Sequence, residues 1–222
     1  MLPMIVSCEN VFFDQPQPVD SKNLISVPKE LQGIWGAEWT AECKTRDSII
    51  IDKTSYRNIT NECYFISNDE LNNSEKYKIM DGKIYLFYRD DTLSYRYNKL
   101  NDSTICYNKR HEELIPLSDS AILRKARNCY ILNLRTDNWW EIIIIQKKEN
   151  GEIMINYPFA DDLIKMKSET DITLLDSTDE GAAFFHAEFK SKEMERIINK
   201  EGEGILYTLR PDSTFEVKDV GK

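Results

Sequence analysis

Only two histidines, His111 and His186, are available as general bases in this 222-residue chain, and most hydrolytic triads need one. His186 stands in Phe184-Phe185-His186-Ala187-Glu188-Phe189. On a strand it shares a face with Phe184 and Glu188, so Glu188 could orient it as a base; a satisfied, part-buried histidine is the plainer role. His111 sits in a polar stretch and reads as solvated. No H-E-x-x-H zinc site and no G-x-S-x-G nucleophile elbow occurs, and the eight glycines form no phosphate-cradling loop. Asp90-Asp91 and Asp161-Asp162 are adjacent carboxylates. A glycosidase needs its two carboxyls roughly 5–9 Å apart across a cleft, whereas neighbours on a strand point to opposite faces. These pairs read as solvated turns. No EF-hand pattern is present, and the reading assigns no metal, no cofactor and no catalytic residue.

The elements that must position these side chains are mostly strands. A short turn over Pro28–Leu31 leads into a strand at Ile34–Thr40. Ser48–Asp52, with three consecutive isoleucines, reads as a strand buried on both sides. Tyr56–Thr60 and Glu62–Ser67 continue, and Asn68–Glu75 reads as a polar loop. Tyr77–Met80 and Lys83–Arg89 flank Asp81-Gly82, a strong hairpin signal because both turn positions need positive φ. Thr92–Lys99 alternates through Leu93, Tyr95 and Tyr97, and Asn101-Asp102 turns into Ser103–Asn108. Lys109–Ser118 reads as a long connection. Then follow Ala121–Arg124, Asn128–Arg135, Trp139–Lys147, an Asn150-Gly151 hairpin, Glu152–Tyr157, a possible helical turn over Asp161–Met166, Ile172–Leu175 and Ala182–Phe189. Ser191 reads as an N-cap for a helix over Lys192–Lys200, with Met194, Ile197 and Ile198 on one face. Gly204–Arg210 and Thr214–Asp219 close the chain. The fold class is therefore mostly β: an antiparallel meander forming a barrel or two-sheet sandwich, with one short helix near the C-terminus. A single all-β domain over 29–222 is expected, with a possible subdivision near 109–120.

A hydrophobic content of 41% excludes a wholly disordered chain, and a net charge of −9 argues against nucleic acid as a partner. No apolar run approaches the roughly 20 residues of a membrane helix. Pro16, Pro18 and Pro28, with Gln15, Gln17, Asp20, Ser21 and Asn23, make 9–28 read as a semi-extended spacer; Phe12 and Phe13 fit a spacer poorly and suggest docking on the domain or at a membrane surface. Cys43, Cys63, Cys106 and Cys129 allow disulfides in an exported chain. Sequence order suggests Cys43–Cys63 and Cys106–Cys129, with four buried thiols as the alternative. Tyr85, Phe87, Tyr95, Tyr97 and Trp140 fall on strands, where they could line a cavity for a ligand. Adjacent Trp139 and Trp140 must face opposite ways.

Three resemblances add to this. Ile5-Val6-Ser7-Cys8 resembles the lipobox of bacterial lipoproteins, in which the cysteine becomes lipidated and the preceding residues are a signal peptide. Only seven residues precede Cys8 and none is basic, a departure from the usual signal. Gly33-Ile34-Trp35 after a short turn is similar to the opening of lipocalin-like β-barrels, which implies that Trp35 closes one end of a ligand cavity. Asp47-Ser48-Ile49, Asp91-Thr92-Leu93, Asp102-Ser103-Thr104, Asp119-Ser120-Ala121, Asp176-Ser177-Thr178 and Asp212-Ser213-Thr214 resemble the O-glycosylation sites of exported Bacteroidota proteins, although such pairs also suit turns entering strands. Together the chain looks like a small lipoprotein of that phylum, which implies an outer-membrane, periplasmic or surface location.

Three functions follow as expectations. The chain is a non-catalytic envelope lipoprotein, held to the membrane through Cys8, that binds an apolar or amphipathic ligand through Trp35, Tyr85, Phe87, Tyr95, Tyr97 and Trp140. Alternatively it docks an envelope protein partner through an exposed face. A glycan- or peptide-acting hydrolase, built on His186 or a carboxylate pair, is the third.

Overall fold

The computed structural model describes residues 10–36, 46–89, 91–160, 163–164, 171–178, 182–198 and 205–211. In chain order the strands and helices are β1 (Asn10–Phe13), β2 (Asn23–Leu24), β3 (Gly33–Gly36), β4 (Ser48–Ile51), β5 (Ser55–Ser67), α1 (Asn68–Asn73), β6 (Tyr77–Met80), β7 (Lys83–Tyr88), β8 (Asp91–Asn101), β9 (Thr104–Pro116), β10 (Ala121–Ala126), β11 (Cys129–Thr136), β12 (Trp139–Lys147), β13 (Ile153–Asn156), β14 (Ile172–Ser177), β15 (Ala182–Ala187), α2 (Ser191–Ile198) and β16 (Ile205–Pro211). The protein is mostly antiparallel β, as the hydrophobic alternation requires. It divides into two compact units: unit 1 is Met1–Trp35, Ile51–Tyr56 and Ile115–Lys222, and unit 2 is Gly36–Ile50 and Arg57–Leu114. In place of the single domain expected over 29–222, unit 2 is inserted into unit 1, and one boundary, Leu114/Ile115, falls within the 109–120 stretch.

Unit 1 is organised around β12. One edge of β12 pairs with β11 along its whole length, and β11 pairs with β10, which pairs with β2. The other edge is shared: β1 takes Trp140 and Glu141, and β13 takes Ile144 to Lys147. The sheet therefore divides at β12, toward β1-β15-β14 on one branch and β13-β16 on the other. β1 and β15 run parallel. Consecutive burial of Ile142, Ile143, Ile144 and Ile145 shows that both faces are covered. On one face Ile131, Trp140, Ile142 and Ile144 pack with Phe13, Phe185, Phe189 and Met194. On the other, Leu132 lies opposite Ile143 and Tyr130 opposite Ile145. The Tyr130 hydroxyl donates to Glu30 and Lys147 Nζ to the Glu30 carbonyl, which fastens the 27–31 turn to this sheet.

The expected spacer over 9–28 is corrected from Asn10 onward. Asn10–Phe13 is a sheet strand, and Phe13 is fully buried. The prolines end the strand without loosening the chain, because buried side chains supply the hydrogen bonds that strand pairing no longer can. Gln17 N–H donates to Asn133 Oδ1 at 2.6 Å, and Asn133 Nδ2 returns a bond to the Gln17 carbonyl at 2.9 Å. The Gln17 side chain donates to the Ala187 carbonyl and accepts from Phe189 N–H. Arg124 reaches the carbonyls of Pro16 and Pro18, and Asp20 Oδ1 accepts from both N–H and hydroxyl of Ser191 at the start of α2.

Unit 2 is a single twisted run of strands in the order β4-β5-β9-β8-β7-β6. The Asp81-Gly82 hairpin is as expected, with both φ angles positive, at 50° and 72°. Two readings change here. Lys109–Pro116 continues β9 in place of forming a connection, and Asn68–Asn73 is helix α1, whose first turn is capped by Ser67 Oγ accepting from Glu70 N–H. One face carries the unit's core, Ile66, Ile84, Leu86, Ile105 and Tyr107.

Candidate functional site

The residues that converge in unit 2 are tyrosines. Strand alternation fixes which side chains share a face. Tyr64 and Ile66 of β5, Ile105 and Tyr107 of β9, Leu93, Tyr95 and Tyr97 of β8, Ile84, Leu86 and Tyr88 of β7, and Tyr77 of β6 all point to the core side. The register puts Ile84 opposite Tyr95, Leu86 opposite Leu93 and Tyr97 opposite Tyr107. The Tyr64 and Tyr107 rings stack at 5.1 Å and 12°, and Tyr95 leans on Tyr107 at 5.1 Å and 31°. The stack runs from inside to outside: Tyr107 is 6% exposed and Tyr64 38%. Leu71 of α1 covers part of the face, and Leu93, Tyr95 and Tyr97 remain only partly buried.

Electrostatics grade in the same direction. Burial, then the neighbouring phenols of Tyr77, Tyr88, Tyr64 and Tyr95, push the Tyr107 phenol far above its ordinary value. Tyr77 is raised by burial first and by Glu70 after it. At the rim, the Tyr64 hydroxyl donates to Glu62, and this bond is the main cause holding the Glu62 carboxyl below its usual range; His111 Nε2 lies 3.4 Å from the same carboxylate. The Tyr64, Tyr77 and Tyr107 phenols, all raised, are therefore neutral at physiological pH. The face offers aromatic surface and hydroxyls with a charged edge, a combination suited to holding a molecule that has both apolar and polar parts.

The six residues expected to bind ligand do not converge on one cavity. Tyr95 and Tyr97 lie on the tyrosine face. Tyr85 and Phe87 lie on the other side of the same sheet, opposite Ser94 and Thr92. Trp35 and Trp140 are in unit 1. Trp35 is buried with Nε1 donating to the Leu31 carbonyl at 2.9 Å, and Trp140 is a core residue with the Arg135 guanidinium over its ring. Both are packed side chains of the scaffold. Sequence reasoning missed Tyr64, Tyr77, Tyr88 and Tyr107. Alternation through Glu62, Tyr64 and Ile66 was the available signal, but only the register of β8 on β9 brings Tyr107 beneath Tyr95.

His186 pairs with Asp14 through Nδ1, not with Glu188, because β1 and β15 are parallel and place position 14 next to 186. Glu188 accepts from Gln15 Nε2 instead. Phe12 and Phe184 stack beside this pair, and Trp139 leans on Phe184. Trp139 is thus part-exposed on the face opposite to Trp140. Asp91 Oδ1 caps Thr92 N–H as a turn residue; Asp90, Asp161 and Asp162 lie outside the described residues. Among the described residues no three His, Cys, Asp or Glu side chains form a metal cluster, and no helix is long and apolar enough to cross a membrane. Of the Asp-Ser and Asp-Thr turns, Thr92, Ser103, Ser120 and Ser177 are exposed, whereas Ser48 is buried in β4 and closed to modification in the folded chain. Ser213, Cys8 and Cys43 lie outside the described residues. Cys63 is disulfide-bonded. Cys106 and Cys129 are buried thiols, so the expected Cys106–Cys129 bridge is not formed; they belong to different units.

Comparison with protein-family models, with curated proteins and with solved structures finds no match to this chain.

Proposed function

We propose that this protein is a non-catalytic envelope lipoprotein, anchored through Cys8, that holds an apolar or amphipathic ligand on the tyrosine face of unit 2. The observation that carries the binding reading is the Tyr64–Tyr107–Tyr95 stack, which runs from a buried core to an exposed rim. Tyrosine rings and hydroxyls over an aliphatic floor favour a ligand with an acyl or ring portion and a few polar groups. The disulfide-bonded Cys63 supports an oxidising, exported location, since such bonds are rare where thiols are kept reduced. The lipobox-like Ile5-Val6-Ser7-Cys8 supports the outer-membrane address.

Native mass spectrometry of the protein purified from membranes, together with titration of a fluorescent fatty acid, tests the reading. Wild type retains an amphiphile; Tyr64→Ala and Tyr95→Ala bind at least about tenfold more weakly, a loss of roughly 1.4 kcal/mol. Tyr85→Ala, on the opposite side of the sheet, binds as wild type. Equal affinity in all four proteins, or no binding in any, overturns the proposal. A second reading, docking of an envelope protein, is favoured by exposed Phe65 and Phe87. Both point away from the tyrosine face by alternation, so loss of a cross-linked partner in Phe65→Ser and Phe87→Ser, with ligand binding intact, selects it.

A further inference from the structure

The side of unit 2 opposite the tyrosines has a charge that runs against that of the chain. The whole protein carries a net charge of −9. Yet on β6, β7 and β8 every charged side chain that alternation puts on this side is a cation: Lys78, Lys83 and Arg96. Asp91, at the start of β8, lies opposite Tyr88 and so belongs to the tyrosine side, and Asp81 sits in the turn between β6 and β7. All three cations are exposed. Arg57 and Arg110 of the same unit share Glu112, whereas Lys78, Lys83 and Arg96 meet no carboxylate among the described residues. The register sets them around two aromatic rings on β7. Tyr85 stands between Lys78 and Ser94, Lys83 is opposite Arg96, and Phe87 is opposite Thr92. Tyr85 is part-exposed and Phe87 is 40% exposed. Successive positions on one side of a strand are about 7 Å apart, so lysine and arginine side chains reach whatever rests on the neighbouring ring.

We infer that this side of β6–β8 is a second binding surface, for an extended acidic polysaccharide. Each column of side chains supplies one part of the recognition. Tyr85 and Phe87 offer flat apolar surface to the C–H faces of sugar rings. Thr92 and Ser94, exposed on β8 and without side-chain partners among the described residues, can exchange hydrogen bonds with sugar hydroxyls. The Lys83–Arg96 pair takes a ring carboxylate, the guanidinium through two parallel N–H donors. An open sheet surface gains contact by length where a small ligand gains it by enclosure, which favours a polymer. A sugar polymer also fits better than two other polyanions. Nucleic acid brings a phosphate with every nucleotide, and the −9 background of the chain opposes so dense a charge. An anionic bilayer is met by protruding apolar side chains across a whole surface, whereas the β8 column here is Thr92, Ser94 and Arg96. The inference stands on unit 2 alone and holds whether or not Cys8 carries a lipid.

Surface plasmon resonance of the full-length chain on immobilised polygalacturonate, with the neutral polymer pullulan on the reference surface, tests it. Wild type binds polygalacturonate and not pullulan, and the affinity falls as salt is raised. Lys83→Ala and Arg96→Ala each weaken binding at least about threefold. Tyr85→Ala weakens it at least about threefold too, but keeps the wild-type salt dependence, because a ring and no charge is lost. Lys99→Ala removes a cation from the tyrosine side of the same sheet and binds as wild type. The substituted positions are exposed or part-exposed, and an unchanged urea midpoint shows that each variant folds. Equal binding to pullulan, wild-type affinity in both Lys83→Ala and Arg96→Ala, or no binding at all overturns the surface. Tighter binding to immobilised oligothymidylate, or to phosphatidylglycerol vesicles, overturns the choice of a polysaccharide. Lys83→Ala and Arg96→Ala leave amphiphile binding on the tyrosine face unchanged, so a failure here leaves that proposal standing.

Discussion

β12 in unit 1 and β8 in unit 2 are both central strands, but they solve different problems. β12 buries four consecutive isoleucines, Ile142 to Ile145, because both of its faces are covered. β8 has no buried residue: Leu93, Tyr95 and Tyr97 are half-buried on one face, and Ser94, Arg96 and Asn98 are exposed on the other. A fully buried isoleucine contributes about 1.5–3 kcal/mol and tolerates no water. A tyrosine contributes ring area while its hydroxyl remains able to meet water or a ligand. Unit 1 is thus built to stay closed. Unit 2 leaves one aromatic face part-exposed.

The largest expected effect tests the closed half. Phe13→Ala removes a fully buried ring from between Phe185 and Phe189. It lowers stability in urea by about 3–5 kcal/mol. A loss below about 1 kcal/mol would show that β1 is a loosely attached arm. Second in size is the Cys63 disulfide. Reduction of the Cys63 disulfide lowers stability by about 2–4 kcal/mol. Non-reducing peptide mapping then identifies its partner, which sequence order gives as Cys43. A Cys63→Ser variant with unchanged urea midpoint removes the contrast between a unit held by its core and a unit that needs a cross-link. Third, Tyr64→Ala costs only about 0.5–1.5 kcal/mol of stability, since the ring stacks on Tyr107 but is part-exposed. Its effect on amphiphile binding is larger than that. The opposite ranking would make Tyr64 a core residue and close the open face.

How much of this was legible depends on where the hydrogen bonds go. Asp81-Gly82 carries its turn in two residues, and Ile142–Ile145 carries its double burial in its own composition. Tyr95 and Tyr97 announce a shared face by alternation. The failures are non-local. Gln17 looks like linker because its partners, Asn133, Ala187 and Phe189, lie more than a hundred residues away. Lys109–Pro116 looks like a loop because its charges are solvated, yet β5 supplies a long partner that holds it extended. α1 was within reach: Ser67 followed three residues later by Glu70 is a capping-box pattern. The site was half legible, since its face could be read from β8 alone but its deepest ring, Tyr107, depends on register.

The smallest effect separates the two units by pH. In unit 1 the hydrogen bond to Asp14, followed by its charge, raises His186 above its ordinary value of 6.5. A raised histidine binds its proton more tightly folded than unfolded, so its contribution is complete below about pH 6.5 and is lost as pH rises through the folded value. In unit 2 the Tyr64 hydroxyl and then His111 hold Glu62 low. A lowered carboxyl contributes above its unfolded value of about 4.3 and loses that contribution as pH falls through the folded value. Both groups are largely solvated, so each effect is small, and the His186 window lies at higher pH than the Glu62 window. Proton NMR of the His186 ring reads the first directly: its midpoint lies above 6.5 in wild type and returns to about 6.5 in Asp14→Asn. A tyrosine-to-phenylalanine change at 64 leaves that titration untouched and moves the acid limb of stability alone. If the tyrosine-to-phenylalanine change at 64 moves the His186 midpoint as well, the two sites are electrostatically coupled and the division of labour between the units fails.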